Sequence, residues 1–420
     1  MRRGLGTGRL RAAFGTAWGR AFAVLWVTQV VSEVAFSFAL PFLPLYIREL
    51  GVEDVAEVGL WAGAMSAGFS VSMATMGPVG GWVADRYGRR LMVQRAMFGA
   101  CIVIGAMGFV QSPAQLMVLR VIQGSLTGVV AATTTMVSLL VPRHHLGSAL
   151  GLIHAALFMG TSIGPVLGGL FSDGFGFRAS FAATAVIFLV SGVLVTLFVA
   201  EPERAPEEGA RTAKDASGSR GGGLLRRELL AVIGLMAVIR FASNAPSPVL
   251  ALYIEQLDVS GAQLATTVGI VVAATGVAST FTALTLGRMA DRYGRTVTLL
   301  ACLLAAAAIS PLHAWVTSVW QLLALRTLTG LALGGMVPAV QAVLTELTPP
   351  SRRGAAFGWM ATASAIGMGA GPLVGSTVAA FWGIPAVFLA STPMFLAGAA
   401  ALIAVQAVQR RPKEGRPAGA

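Results

Sequence analysis

Four side chains that are charged at neutral pH in water stand inside long apolar stretches of this 420-residue chain: Glu33, Arg120, Arg240 and Arg326. A charge placed in a nonpolar medium costs at least about 2.5–3.5 kcal/mol on insertion scales, so each is a candidate for function. Glu33 is the group among them that can take up and release a proton. Dry surroundings favour a neutral carboxylic acid, and a nearby cation favours the carboxylate. Arg240 and Arg120 are its candidate partners. Gln29 shares the face of Glu33 one helical turn earlier, and Asn244 lies one turn beyond Arg240. A fixed ion pair or a wet vestibule suits the same residues, and spacing alone leaves these readings open. His154 can titrate near neutral pH, but hydrogen-bonded packing explains a lone histidine in an apolar helix equally well.

Two further patterns carry physical meaning. The segment ADRYGR occurs at 84–89 and again at 290–295. Gly88 can supply the positive φ that a very short connection between helices needs, and Asp85 lies one turn from Arg89. The loop reads either as a latch or as a solvated turn, and its duplication preserves both. Gly160, Gly164 and Gly168 recur every fourth residue and so line one helix face, followed by Gly169. Small residues on a face let helices approach closely, and Pro165 permits a bend by removing one backbone donor. Gly367, Gly371, Pro372 and Gly375 repeat the device.

The elements that must position these groups are membrane spans. Hydrophobic residues make up 55% of the chain and charged residues 11%, with a mean hydropathy of +0.76. Soluble domains carry about 25% charged residues. The apolar blocks run about 18–25 residues, enough to cross a bilayer as helices, and lack the period-two alternation of barrel strands. Twelve spans are expected, roughly at 21–47, 57–81, 90–110, 114–140, 147–171, 179–200, 229–254, 263–286, 296–314, 319–344, 353–380 and 384–408.

The net charge of +12 follows topology. Arginines and lysines gather at 1–20, 86–95, 143, 204–227, 288–295, 352–353 and 410–416, while the other side keeps Arg48 and Arg178. That bias places both termini in the cytoplasm and removes nucleic acid as the explanation of the charge. The acids Glu49, Glu53, Asp54, Glu57, Asp173, Glu255 and Asp258 fall outside. No cleavable leader is evident in the Arg-rich residues 1–20. Cys101 and Cys302 form no ligand or disulfide pattern. No metal site and no cofactor are expected.

The chain is internally duplicated. Asp85 and Asp291 are 206 apart (291 − 85), and the same offset maps Arg120 onto Arg326. An offset of 207 maps Glu33 onto Arg240 (240 − 33), Gly164-Pro165 onto Gly371-Pro372, and PFLPLYI at 41–47 onto PVLALYI at 248–254. The expected organisation is a cytoplasmic tail at 1–20, a six-helix bundle at 21–200, a polar Gly-rich linker at 201–228, a second bundle at 229–408 and a tail at 409–420. Parallel six-helix repeats are a transporter architecture with the site near the midplane.

With these motifs in order, the chain resembles the major facilitator superfamily, most closely its drug:proton antiporter branch. The resemblance covers all twelve spans. It rests on Gly81 to Arg90, on Leu119-Arg120-Val121-Ile122-Gln123-Gly124, and on Gly160 to Gly169. The second copy of the loop keeps Asp291, Arg292, Gly294 and Arg295 but has Thr296 where the first has Arg90.

The resemblance implies an all-α membrane protein of twelve helices in two pseudo-symmetric bundles. Gly81, Asp85 and Arg86 would latch the cytoplasmic side, Arg120 would take part in proton exchange, and the 160–169 motif would mark an exporter. The implied function is proton-coupled export of small lipophilic or cationic compounds by a monomer in a bacterial cytoplasmic membrane. Its partners would be a small-molecule substrate, protons and the lipid bilayer. Proton-coupled transport of one specific metabolite, sugar or siderophore, outward or as an importing symporter, is the alternative. An enzyme is not expected, since catalytic groups do not cluster, and no G-x-x-x-x-G-K-[ST] loop is present for ATP.

Overall fold

The computed structural model describes residues 17–126, 129–199, 227–257, 263–349 and 352–410. Every regular element among them is helical. Lipid offers the backbone no hydrogen-bond partners, so an apolar chain crossing it must bond within itself.

The α-helices are α1 (Ala17–Ala39), α2 (Leu43–Glu49), α3 (Val55–Tyr87), α4 (Arg89–Met107), α5 (Pro113–Leu126), α6 (Val129–Leu140) and α7 (Arg143–Phe198) in the first half. The second half contains α8 (Arg227–Asn244), α9 (Leu250–Gln256), α10 (Leu264–Tyr293), α11 (Arg295–Ile309), α12 (Val319–Leu333), α13 (Met336–Leu347), α14 (Arg353–Trp382) and α15 (Ile384–Arg410). Eight described segments have the length and apolarity to cross a membrane. The longest of them, Gly151–Phe198, folds at Gly176 and so supplies two spans. With α3, α5–α6 and α8–α9, the described residues group into the twelve expected rods.

Several rods are broken where the sequence reading drew them straight. The first is interrupted by a 3-10 turn at Leu40–Phe42. Pro41 and Pro44 cannot donate to the preceding turn, and proline displaces the residue before it from helical geometry. The seventh breaks in the same register, at 245–249, around Pro246 and Pro248. The tenth breaks between α12 and α13 at Gly334 and Gly335. There a methyl on Gly334 would lie 2.7 Å from the Ser279 backbone.

The connections keep the repeat in their backbone. Gly88 and Gly294 (294 − 88 = 206) carry φ of 106° and 92° between consecutive helices. Gly176 and Gly383 (383 − 176 = 207) carry 83° and 84°. An L side chain is strained at such angles, so these turns admit glycine most easily.

The chain divides into two compact units. The first comprises Met1–Asp54, Gly68–Arg204 and Ala251–Gly276; the second comprises Val55–Ala67, Ala205–Leu250 and Val277–Ala420. Leu25, Val93, Met97, Met136, Val137 and Ile153 form a core in the first. The buried Tyr46 hydroxyl there donates to the Met107 carbonyl at 2.9 Å, tying α2 to α4. The second unit is built on Leu235, Ile239, Leu303, Met336, Val340 and Phe395.

Each unit contains one glycine-faced helix against a rod that carries an intramembrane charge. In the first, a methyl on Gly164 would lie 2.7 Å from the Val34 carbonyl oxygen, and one on Gly168 would lie 2.7 Å from the Phe38 carbonyl carbon. In the second, a methyl on Gly371 would lie 2.5 Å from the Phe241 carbonyl oxygen, and one on Gly375 would lie 2.7 Å from the Ala245 carbonyl carbon. So α7 meets α1, and α14 meets α8, backbone to backbone.

Candidate functional site

In the first unit α1 presents Gln29 and Glu33 one turn apart. The Gln29 side chain is fully buried and donates Nε2–H to the Glu33 carboxylate at 2.8 Å. Gly160 of α7 sits directly on the Glu33 backbone: a methyl there would lie 2.6 Å from the Glu33 carbonyl carbon. Glu33 is therefore seated against the glycine motif as well as beside the glutamine. Among the described residues the Gln29 Oε1 and the buried Ser32 hydroxyl close by in sequence have no hydrogen-bond partner.

Arg120 of α5 is 5% exposed. It donates Nη1–H to Gln123 Oε1 at 2.6 Å, and its guanidinium lies 4.7 Å from the centroid of the Phe69 ring. Phe69 in turn meets Phe36, one turn beyond Glu33, with centroids 6.0 Å apart. Among the described residues no carboxylate pairs with Arg120. An amide dipole and an aromatic face hold this cation instead, an arrangement that strengthens when water is excluded.

In the second unit Arg240 Nε–H donates to Ser364 Oγ at 3.1 Å, and Asn244 Nδ2–H donates to the Arg240 carbonyl at 2.7 Å. Gly367 packs on Arg240 as Gly160 packs on Glu33, with a methyl 2.8 Å from the Arg240 Cβ (367 − 160 = 207). Half-buried Arg326 carries a buried Nε that meets no hydrogen-bond partner among the described residues. His313, which no motif singled out, is buried and stacks on Phe388 with centroids 4.8 Å apart and rings 11° from parallel.

At the ADRYGR loop, Arg86 lies 5.5 Å from the Trp82 ring centroid and 5.8 Å from that of Tyr87. Gly88 has the positive φ its position demands. The side chains of Asp85, Arg89, Asp291 and His154 lie outside the described residues, as do the surroundings of Gly81. Arg292 is exposed, and the neighbouring Arg295 pairs with Glu346 of α13 at 2.6 Å. Gln341 is exposed, Cys101 and Cys302 are free thiols, and no cluster of metal ligands occurs among the described residues.

A second polar group joins the two sequence repeats inside the first unit. Arg48 of α2 forms an ion pair with Glu255 of α9. Asp173, three residues before the turn at Gly176, accepts hydrogen bonds from Ala265 N–H at 3.1 Å, Thr266 N–H at 2.7 Å and Thr266 Oγ1–H at 2.5 Å. Arg48, Glu255, Asp173 and Ala265 line a cavity of about 370 Å³ together with Glu49, Ser172 and Phe177. The sequence reading had these residues only as charges on the outer side. The available signal was arithmetic: Arg48 and Glu255 share the repeat offset of 207 (255 − 48).

With this geometry in place, likeness to known proteins becomes informative. The family model described as the Major Facilitator Superfamily matches residues 25–267 and 232–420. The multidrug resistance protein MdtG of Enterobacter lignolyticus (strain SCF1) is 31% identical over 380 residues, spanning 90% of this chain and 90% of that protein. MdtG of Dickeya zeae (strain Ech586) is 32% identical over 383 residues, spanning 91% and 93%.

Among solved structures, a bacterial homologue of the human lysosomal transporter Spinster, inward-facing and occupied, aligns with a TM-score of 0.76 at 14% identity over 98% of this chain and 100% of that one. The human organic anion transporter MFSD10 (TETRAN) aligns at 0.68 and 20%, over 92% and 99%. The nucleoside transporter NupG aligns at 0.73 and 15%, over 92% and 99%. At these identities the structures share the fold and nothing finer.

Proposed function

Because this chain belongs to the major facilitator superfamily, and so is a multi-pass membrane transporter of small molecules and not an enzyme, we propose that it exports lipophilic or cationic compounds in exchange for protons. The cycle is alternating access by two six-helix bundles, residues 21–200 and 229–408, linked through 201–228. The protein acts as a monomer in the bacterial cell membrane with both termini in the cytoplasm. The naming of the MdtG relatives as multidrug resistance proteins supports the substrate class.

The observation that carries the proton coupling is the Gln29–Glu33 pair on α1 beneath Gly160. A carboxylate inside a span binds a proton when its surroundings are dry and releases it when water or a cation arrives. Glu33 is the proton carrier in this reading. Gln29 orients its carboxylate. Motion of α7 against α1 changes its surroundings, because Gly160 leaves no side-chain layer between them. Arg120 supplies a fixed positive charge in the same unit, and Arg240, with Asn244 behind it, is the pseudo-symmetric cation. At the cytoplasmic face Gly81, Asp85, Arg86, Gly88, Arg89, Asp291 and Arg292 form the gate loops.

The test is purified protein in liposomes with an imposed pH gradient and a panel of lipophilic and cationic dyes. The native chain should drive dye export only with the gradient, and Glu33→Gln should abolish that flux while still inserting. Unchanged gradient-driven flux in the variant rules Glu33 out as the carrier. Gradient-driven movement of a single metabolite, with no dye moved, would favour the alternative substrate class.

A further inference from the structure

We propose that Phe36 and Phe69 are positioning residues whose rings form a partition, keeping Arg120 off Glu33 and so setting when the proton leaves. The inference rests on the reading of Glu33 as the proton carrier and adds the control that this reading leaves unassigned.

Three observations inside the first unit carry it. The first is the order of contacts. The Arg120 guanidinium lies 4.7 Å from the Phe69 ring centroid. The Phe69 ring lies 6.0 Å from that of Phe36, tilted by 47°. Phe36 stands three residues beyond Glu33, a spacing that makes the two neighbours on the surface of α1. The line of contacts from the cation to the helix of the acid thus runs through two aromatic rings.

The second is the hold on the cation. Arg120 Nη1–H donates to Gln123 Oε1 at 2.6 Å, and among the described residues its Nε meets no hydrogen-bond partner. A carboxylate binds a guanidinium more strongly than a neutral amide does. Arg120 therefore has donors to offer Glu33 once the rings stand aside.

The third is the rigidity of the frame. A methyl on Gly124 would lie 3.1 Å from the Phe69 carbonyl carbon, and one on Gly68 would lie 3.0 Å from Val121 Cγ2. Arg120 is one turn before Gly124, so it projects from the face of α5 that packs on α3. Phe69 itself is 7% exposed. Helices this close keep Phe69 and Arg120 in register, and the motion left is a swing of ring and guanidinium.

When the rings part, the Arg120 charge stabilises the carboxylate and the proton passes to water. Arginine keeps its own protons throughout, so it acts by charge alone. The other elements around Glu33 bring few competing charges. Helices α6 and α7 pack on α1. Residues 129–140 of α6 include no titratable group. Helix α7 meets Glu33 with Gly160, and its nearest titratable residue in sequence is His154. Helix α3 carries its charged residues, Glu57, Asp85 and Arg86, towards its ends.

The probe is dicyclohexylcarbodiimide, which couples to a protonated carboxylic acid in apolar surroundings. Its incorporation at Glu33, followed by mass spectrometry on the purified protein across a pH series, needs neither dye nor gradient. Phe69→Leu keeps apolar bulk but removes the aromatic face. It should lower the labelling midpoint by about one pH unit or more, the effect of bringing a cation beside a carboxylate. Phe36→Leu should move it the same way, and Phe69→Tyr, which keeps the face, should match the parent. Adding Arg120→Gln to Phe69→Leu should return the midpoint to the parent value or above, which a loosened fold would not do. A midpoint unmoved by both leucine variants, or lowered equally with and without Arg120, overturns the partition while leaving Glu33 as the carrier. A parent in which Glu33 takes no titrating label overturns the carrier reading and the partition with it.

Discussion

The glycine faces permit a prediction that the geometry makes quantitative. Replacing Gly164 by alanine places a methyl 2.7 Å from both the Val34 carbonyl oxygen and the Ser37 Cβ. Ordinary contact begins near 3.4 Å, so α7 and α1 must separate by about 0.7 Å (3.4 − 2.7). Both atoms belong to a helix that cannot swing aside like a flexible side chain. Overpacking of this kind costs about 1–3 kcal/mol.

Gly151 on the same helix is the control. Nothing lies within 4 Å of a methyl placed there, so alanine gains only the helix preference, about 0.5–1 kcal/mol. The two variants should therefore move in opposite directions, about 1.5–4 kcal/mol apart. The repeat supplies an internal replicate: Gly371→Ala meets the Phe241 carbonyl oxygen at 2.5 Å, and Gly358→Ala, like Gly151→Ala, meets nothing. Thermal unfolding of the purified protein in detergent, followed by circular dichroism, measures all four. If Gly164→Ala unfolds at or above the temperature of Gly151→Ala, the close contact does not constrain the fold as argued.

Removing the Tyr46 hydroxyl as Tyr46→Phe deletes the buried bond to the Met107 carbonyl. The same melting assay should show a loss of about 1 kcal/mol; an unchanged midpoint would mean that the carbonyl finds another donor. Arg120→Lys keeps the charge but loses the planar guanidinium over Phe69, and Lys is not interchangeable with Arg at a stacked site. Gradient-driven efflux should fall about tenfold or more, equivalent to about 1.4 kcal/mol, and native efflux would show that charge alone suffices. Arg295→Ala breaks a pair whose members are 40% and 56% exposed. Its stability cost should stay below about 1 kcal/mol and shrink in high salt; a larger, salt-independent loss would mark it as structural.

The fold was legible because its signals are large and local. Apolar blocks and one-sided arginines define spans without any tertiary information, and a constant offset exposes the duplication. Gly88 was readable because a short connection demands an angle that other residues resist. Neighbours were harder to read. The spacing of Gly160, Gly164 and Gly168 shows that they share a face, but periodicity does not name what the face meets. Close helix packing is what the spacing predicts; the structure sets these three against α1 of the same repeat, while Gly169 and the backbone at Pro165 meet α10.

The breaks near Pro41 and Pro248 were passed over because apolar character continues through them. Asp173 stands in the sequence only as one of the outer acids, because a cap joining distant segments leaves no trace in local sequence. The candidate proton carrier itself was visible. An acid in an apolar stretch is conspicuous, and Gln29 stands one turn away on the same helix.

The Arg48–Glu255 contact also says something about descent. A position that touches its own counterpart lies beside the axis relating the repeats. In a symmetric ancestor made of two identical copies, any charge at that place would face its like, and a single substitution could neutralise both but never set opposite charges against each other. Fusion into one chain lifts that restriction, since each copy can then change alone. The present pair turns the axis from a seam of self-opposition into one of mutual attraction.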